Sequence, residues 1–252
     1  LDIFRKIINL IIMISVIIPT LNEVKYVGNL LSQFTPEIRK KYDLEIIVSD
    51  GGSTDGTVEL VRNYADLLIL HESEGRQTIA EGRNKGAFNS RGEVLFFINA
   101  DTYIKDIDNF FATITKELKD PNVIALTCKV SIFPLEEKLS DKIFHTFHNY
   151  YFATLNYLGV GMGRGECHII KREKFFEVKG YNENIIAGED FELFTRLAKV
   201  GKIKFLHKLR VYESPRRYRR YGYLKVMVSW FRNCVYIVLF KKSIPEEWEV
   251  IR

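Results

Sequence analysis

The sequence predicts an α/β domain with a mostly parallel central sheet covered by helices. Short apolar, β-branched runs recur at residues 14–18, 44–48, 67–70, 94–98 and 123–127, and segments with helical apolar spacing fall between them. Such alternation with short loops is the pattern of a parallel, helix-covered sheet. Two of the runs end in carboxylates, Asp50 and Asp101. A parallel sheet puts both on one edge, where open α/β sheets bind their ligands.

One domain accounts for 252 residues of which 46% are hydrophobic and 27% charged. The net charge is +5, and the excess is local. Between 208 and 225 stand Lys208, Arg210, Arg216, Arg217, Arg219, Arg220 and Lys225 against Glu213. That cluster suits a phosphate-bearing ligand or an anionic membrane surface, with a plain solvated face as the alternative. No nucleic-acid motif accompanies it, so nucleic acid is not an expected partner. Cys128, Cys167 and Cys234 are odd in number and lack Cys-x-x-Cys spacing. They predict neither a zinc site nor a disulfide framework, and a reducing cytoplasmic compartment.

Residues 1–13 read as an N-terminal extension. The apolar run at 7–18 is too short for a bilayer span of about 20 residues, and no small-residue cleavage site follows it. Met13 directly precedes the first strand and is a natural start, leaving 1–12 dispensable. Strand 14–18 ends at Pro19-Thr20. A helix is expected from Asn22-Glu23 to Phe34, with Val27, Leu30, Leu31 and Phe34 on one face. Strand 44–48 runs into a Gly- and Asp-rich turn at 49–56, followed by a helix at 57–64 and a strand at 67–70. Thr78-x-x-Glu81 is a capping box opening a helix to Asn89. Strand 94–98 delivers Asn99, Ala100 and Asp101 at its C-terminal end. A carboxylate there can hold a divalent cation, and the cation a diphosphate; the alternative is that Asp101 only caps a turn. Asp106 caps a helix to Leu118, and 123–127 is a fifth strand.

The pattern then changes. Residues 135–158 read as an aromatic-rich helix that either packs in the core or faces lipid or a partner. Gly159, Gly161, Gly163 and Gly165 predict a flexible loop able to close over a ligand. A short strand at 167–170 follows. Glu189 and Asp190 open a helix to Val200, as favourable dipole partners or as site residues. Residues 223–242 are too short and too polar in their middle for a membrane span. They fit an interfacial helix anchored by Trp230 and flanking lysines, or one packed on its own domain.

In order and spacing these elements resemble family 2 glycosyltransferases with the GT-A fold, over roughly 14–221. The carriers are Ser-Val-Ile-Ile-Pro-Thr-Leu-Asn-Glu at 15–23, Glu-Ile-Ile-Val-Ser-Asp-Gly-Gly-Ser-Thr-Asp-Gly-Thr at 45–57 and Arg-Asn-Lys-Gly at 83–86. Asn99-Ala100-Asp101 falls at the family's Asp-x-Asp motif, Glu189-Asp190 at its Glu-Asp pair, and 216–221 at its basic C-terminal element. The resemblance implies residues 14–222 as the GT-A domain, with a nucleotide-sugar half at 14–130 and an acceptor half at 131–222. An amphipathic segment at 223–252 would contact the membrane.

It further implies inverting transfer from a nucleotide-diphosphate sugar, UDP favoured over GDP, to a glycan or polyprenyl-phosphate-type acceptor. Pro19, Thr20, Glu23 and Asp50 would surround the base and ribose, with Arg76, Arg83 and Asn84 near the donor. Asn99, Ala100 and Asp101 would meet the diphosphate, Asp101 binding Mg²⁺ or Mn²⁺. Asp190 would be the general base beside Glu189. Arg164, Arg216, Arg217 and Arg219 would meet the diphosphate and acceptor. The protein would be cytoplasmic, peripheral on the cytosolic membrane face. Asn99 departs from the family's first Asp and removes one charge from the metal's surroundings. His207 is a weak candidate for a third ligand. Two other classes remain open. A sugar-phosphate nucleotidyltransferase would want a Gly-rich loop with an Arg-Lys signature after the first strand, which Pro19-Thr20-Leu21-Asn22-Glu23 lacks. A catalytically silent nucleotide- or membrane-binding module is favoured by Asn99 and disfavoured by Asp101 and Asp190.

Overall fold

A computed structural model describes residues 12–240 and 242–244. The expected extension at 1–12 and the end of the C-terminal segment fall almost wholly outside them. Eight strands form one mixed sheet: β1 (Ile14–Thr20), β2 (Leu44–Asp50), β3 (Leu67–Leu70), β4 (Val94–Phe97), β5 (Thr102–Ile104), β6 (Val123–Ile132), β7 (His168–Lys171) and β8 (Lys202–Glu213). Their order is β3-β2-β1-β4-β7-β6-β8-β5. The first four strands in that order are parallel, as the alternating pattern predicts. β7 is antiparallel to both β4 and β6, so the sheet changes direction beside β4.

Alternation of side chains builds two cores from one sheet. Val16, Phe96 and their neighbours face Phe110, Phe111 and Ile114 of α5 (Ile107–Glu117) and Leu30 and Leu31 of α1 (Val27–Leu31). Ile17, Leu95 and Phe97 face Ala80 and Ala87 of α4 (Ile79–Phe88) and Leu193, Phe194 and Leu197 of α8 (Glu189–Leu197). The expected capping box is present: the Thr78 hydroxyl accepts from Glu81 N at 3.1 Å, and a Glu81 oxygen accepts from Thr78 N at 2.7 Å.

Several elements differ from expectation. The helix after β1 shrinks to α1, because Asn22 sits at φ 54° and the turn runs to Tyr26. α2 (Pro36–Tyr42) follows it, capped by Thr35 with Pro36 in the first turn, a start signal missed in sequence. α3 (Thr57–Val61) and α7 (Arg172–Glu177) are single turns or little more. β8 is new: its basic residues alternate with Ile203, Phe205, Leu209 and Val211, so charge masked the strand period. The two remaining long elements are α6 (Leu139–Tyr157) and α10 (Tyr223–Phe240), joined to β8 by α9 (Arg216–Tyr221). α10 has 18 residues and meets the length and apolarity of a membrane-crossing helix, more than the sequence reading granted. Val226, Asn233 and Ile237 nevertheless pack it onto the domain.

α4 can approach β1 closely because Gly86 lacks a side chain. A Cβ there would stand 2.4 Å from Ile17 Cγ2. Gly86→Val is expected to lower stability by about 1–3 kcal/mol through overpacking, read by urea denaturation. A neutral result would mean α4 has room to move outward.

Candidate active site

A cavity of about 810 Å³ opens where β1, β2 and β4 end. Pro19, Thr20, Glu23, Arg76, Asn99, Ala100 and Asp101 line it from the parallel half of the sheet. Arg83, Arg164, Glu189, Asp190, Arg216 and Arg217 line it from the helical side and the loop before β7.

Three expected residues do not line it. Asp50 is buried, and its carboxylate is saturated by its own turn: it accepts from Thr20 Oγ1 (2.8 Å), Ser53 Oγ (2.5 Å), Gly52 N (3.0 Å) and Ser53 N (2.7 Å). β1 and β2 pair Thr20 with Asp50, so this carboxylate locks two strand ends. Asn84 turns away to the segment after α7, donating to the Tyr181 carbonyl (2.9 Å) and accepting from Tyr181 N (2.9 Å). Arg219 donates to both Asp141 oxygens at 2.8 and 2.5 Å, fastening α9 to α6.

Arg83 organises the floor. It is fully buried. Nη1 donates to Glu189 Oε1 at 2.8 Å, and Nη2 donates to Asn99 Oδ1 at 3.0 Å and to the Gly165 carbonyl at 2.8 Å. Asn99 therefore keeps the strand tip bonded to Arg83 without adding a second charge beside Glu189. Asp190 is held one residue further along α8. Its oxygens accept from Gly165 N (3.1 Å) and Phe191 N (2.8 Å). Burial, reinforced by the Glu189 charge and opposed by Arg83, pushes the Asp190 carboxyl up to about 7.

On the opposite side, Arg216 Nη2 lies 3.1 Å from Asp101 Oδ2 and 2.5 Å from Glu23 Oε1. Burial raises Asp101 above the ordinary carboxylate range, with Arg216 opposing. Burial likewise pushes Glu23 up to about 7. Glu23 Oε2 and Arg216 Nη1 are buried with no hydrogen-bond partner among the described residues. Buried polar atoms without partners are costly and point to a ligand. An acceptor and a donor left over beside Asp101 suit a hard cation together with a phosphate. Among the described residues there is no group of three or more His, Cys, Asp or Glu able to hold a metal ion. His207 packs against Tyr150 and Phe205 rather than lining the cavity. Asp101 thus fits Mg²⁺ or Mn²⁺ only in company with phosphate and water oxygens, a common arrangement for Mg²⁺.

Sequence reasoning missed a second buried network. Arg164 Nη2 donates to Glu213 Oε1 at 2.6 Å, and Arg164 Nε to Glu166 Oε2 at 3.3 Å. Tyr218 OH donates to the same Glu213 oxygen at 3.1 Å. Burial, with the Glu166 charge adding to it, holds Glu213 well above the ordinary range. The signal was faint: Glu166 follows a glycine loop, and Glu213 is the lone acid in a basic stretch. That loop is pinned rather than free. Asn156 donates to the Met162 carbonyl and accepts from Met162 N, and a Cβ at Gly163 would lie 2.5 Å from Phe194.

This layout is the GT-A glycosyltransferase fold. The chain resembles the mannosyltransferase PcManGT of Pyrobaculum calidifontis, solved with GDP-Man and Mn²⁺, at TM-score 0.64 and 25% identity, covering 81% of this chain and 57% of that one. It also resembles Staphylococcus aureus TarS in complex with UDP-GlcNAc, at TM-score 0.58 and 20% identity over 79% of this chain and 58% of that one. The glycosyl transferase family 2 model matches residues 15–177, and the chain belongs to that family. Among curated relatives, Haloferax volcanii glycosyltransferase AglE is 38% identical over 92 residues, 35% of this chain and 30% of AglE. A Methanococcus voltae dolichyl N-acetyl-α-D-glucosaminyl phosphate 3-β-D-2,3-diacetamido-2,3-dideoxy-β-D-glucuronosyltransferase is 25% identical, covering 75% of this chain and 62% of the relative. The chain thus spans less than two thirds of either relative.

The raised Asp190 has a measurable consequence. Its folded value near 7 lies above the ordinary aspartate value of about 4, so the folded state binds the proton more tightly than the unfolded chain. Wild type loses this contribution as pH rises from about 4 to about 7. Asp190→Asn does not titrate, and its stability is expected to gain on wild type across that window by on the order of 2 kcal/mol, levelling above it. Denaturant midpoints at pH 5 and pH 8 that show a constant gap would place the carboxyl at its ordinary value.

Proposed function

We propose that the protein is an inverting, metal-dependent glycosyltransferase that moves a sugar from a nucleotide-diphosphate sugar to a lipid-linked or glycan acceptor at the cytosolic membrane face. The observation that carries this is one cavity lined by Asp190 and by Asp101 paired with Arg216. The family membership supports the reaction class.

Pro19, Thr20, Glu23 and Arg76 take the base and ribose, with the pyrimidine nucleotide preferred. Asp50 acts by fixing the ends of β1 and β2 rather than by touching the base. Asp101 would hold a divalent cation, which would supply neutralising charge to the leaving diphosphate. Arg216 moves from Asp101 and Glu23 toward the phosphates, where its buried Nη1 gains an acceptor, and Arg217 adds positive charge. Asp190 takes the proton of the acceptor hydroxyl. The hydroxyl oxygen bonds to the anomeric carbon as the bond to the diphosphate breaks, and the configuration inverts. Arg83 and Glu189 keep Asp190 in place. The exposed apolar face of α10, flanked by lysines, supports peripheral membrane contact.

A thermal-shift screen of UDP- and GDP-sugars with and without Mn²⁺ tests the donor, with metal-dependent stabilisation by UDP-sugars expected. Asp101→Ala and Asp190→Ala are each expected to cut transfer by about 10²-fold or more. The rate should fall as pH drops below about 7, where Asp190 holds its proton. Full turnover by Asp190→Ala on a hydroxyl acceptor removes the base assignment.

A further inference from the structure

The cavity does not end at the catalytic carboxylates. Beyond Asp190 it continues as an apolar arm between α6 and α10, lined by Phe147, Tyr151, Phe152, Leu155, Trp230 and Phe231. Its inner part is closed by core packing: Phe152 is buried with Met162 and Phe205. Its outer part is open. Phe147 is 60% exposed and Phe231 71% exposed, although both line the cavity. The arm therefore runs from a protected site to the surface between two apolar lips.

The lips extend well beyond the arm. On α6, Leu139, Ile143, Phe147, Tyr150 and Tyr157 are exposed at helical spacing, and on α10 so are Leu224, Val228, Phe231, Val235 and Leu239. Contiguous apolar surface of this kind marks an interaction face. α10 contains no acid, while Lys225 and Arg232 lie along it. The acid of α6, Asp141, is buried against Arg219. The two helices thus offer apolar and basic surface together, complementary to anionic lipid.

We propose that the arm holds the hydrocarbon chain of a lipid-linked acceptor. The chain enters between α6 and α10 from the membrane while its polar head reaches Asp190. The inference rests on the glycosyltransferase reading above and deepens it by naming the acceptor class. Continuity with the site and the basic, acid-free lips favour a lipid chain over a second protein. α10 serves both parts, because Cys234 lines the same cavity and lies near enough to Asp190 to feel its charge.

The test uses the full chain with a sugar-bearing polyprenyl phosphate carrying a diazirine at the far end of its hydrocarbon chain, in detergent micelles. Cross-links are expected on Phe152, Leu155 or Trp230, competed by the unlabelled lipid. Labels confined to the outward residues Val228, Val235 and Leu239, or none at all, overturn the proposal. So does a dimer by sedimentation that buries α10. Two variants give a kinetic readout. Leu155→Trp fills the arm, and Phe231→Asp charges its exposed lip with little risk to folding. Each is expected to lower the ratio of kcat/KM for the long-chain acceptor to that for a chain-free acceptor at least tenfold; an unchanged ratio in both overturns the proposal. If wild type binds no nucleotide sugar, the underlying reading fails. If it binds donor and glycosylates the chain-free acceptor without arm cross-links, this inference alone fails.

Discussion

The site hangs on one buried guanidinium. Arg83 leaves water entirely; its two terminal nitrogens meet Glu189, Asn99 and the Gly165 carbonyl, while its Nε has no partner among the described residues. Removing one partner of a buried ion pair costs about 3–5 kcal/mol, because the other charge is left uncompensated. The geometry around Asp190 follows from this anchor. Glu189 is fixed by Arg83, so α8 presents Asp190 at a fixed angle. Gly165 offers its carbonyl to Arg83 and its N–H to Asp190, so one peptide segment serves both. Raising Asp190 toward 7 then follows from burial beside a neighbour whose charge Arg83 only partly offsets.

The opposite wall works by sharing. Glu23 and Asp101 divide one Arg216 between them, and each carboxyl is raised by burial. Arg217 stands near Asp101 as a second cation, and the unpartnered Arg216 Nη1 and Glu23 Oε2 remain beside it. The proposed cation and diphosphate would meet both atoms at once. Behind this wall the Arg164, Glu213 and Tyr218 network fixes the start of α9, the helix that carries Arg216.

The parallel half of the fold was legible because its signals are local. β-branched runs, the Thr78 capping box and carboxylates at strand ends each report on a few neighbouring residues. What stayed hidden depends on partners far along the chain. Nothing near 168–171 says that β7 enters antiparallel between β4 and β6. The strand period of β8 was overlaid by its basic residues. Among the site residues, Asp101, Asp190, Glu23 and Arg216 were placed in one cavity as their motif positions suggested. Asp50, Asn84 and Arg219 carry the same polar chemistry, yet their side chains are spent on Ser53, Tyr181 and Asp141. Sequence shows which groups can bind a ligand; whether the fold has already used them is a question of tertiary pairing. The glycines of 159–165 teach the same point, since two of them exist to let Phe194 approach.

The reversal of strand direction at β7 divides labour in the sheet. Everything from β3 to β4 is parallel, and its strand ends open on the cavity. From β7 onward the connections are longer and carry α6, the loop before β7, α9 and α10. The two portions meet along the β4–β7 ladder, in the core shared by Phe97 and Phe194, and through polar ties from Arg83 to Glu189, Asn84 to Tyr181 and Arg216 to Glu23. A seam this broad ties the pose of the later portion to that of the earlier one. A graft across this line must therefore carry with it the residues that face Arg83, Asn84 and Glu23.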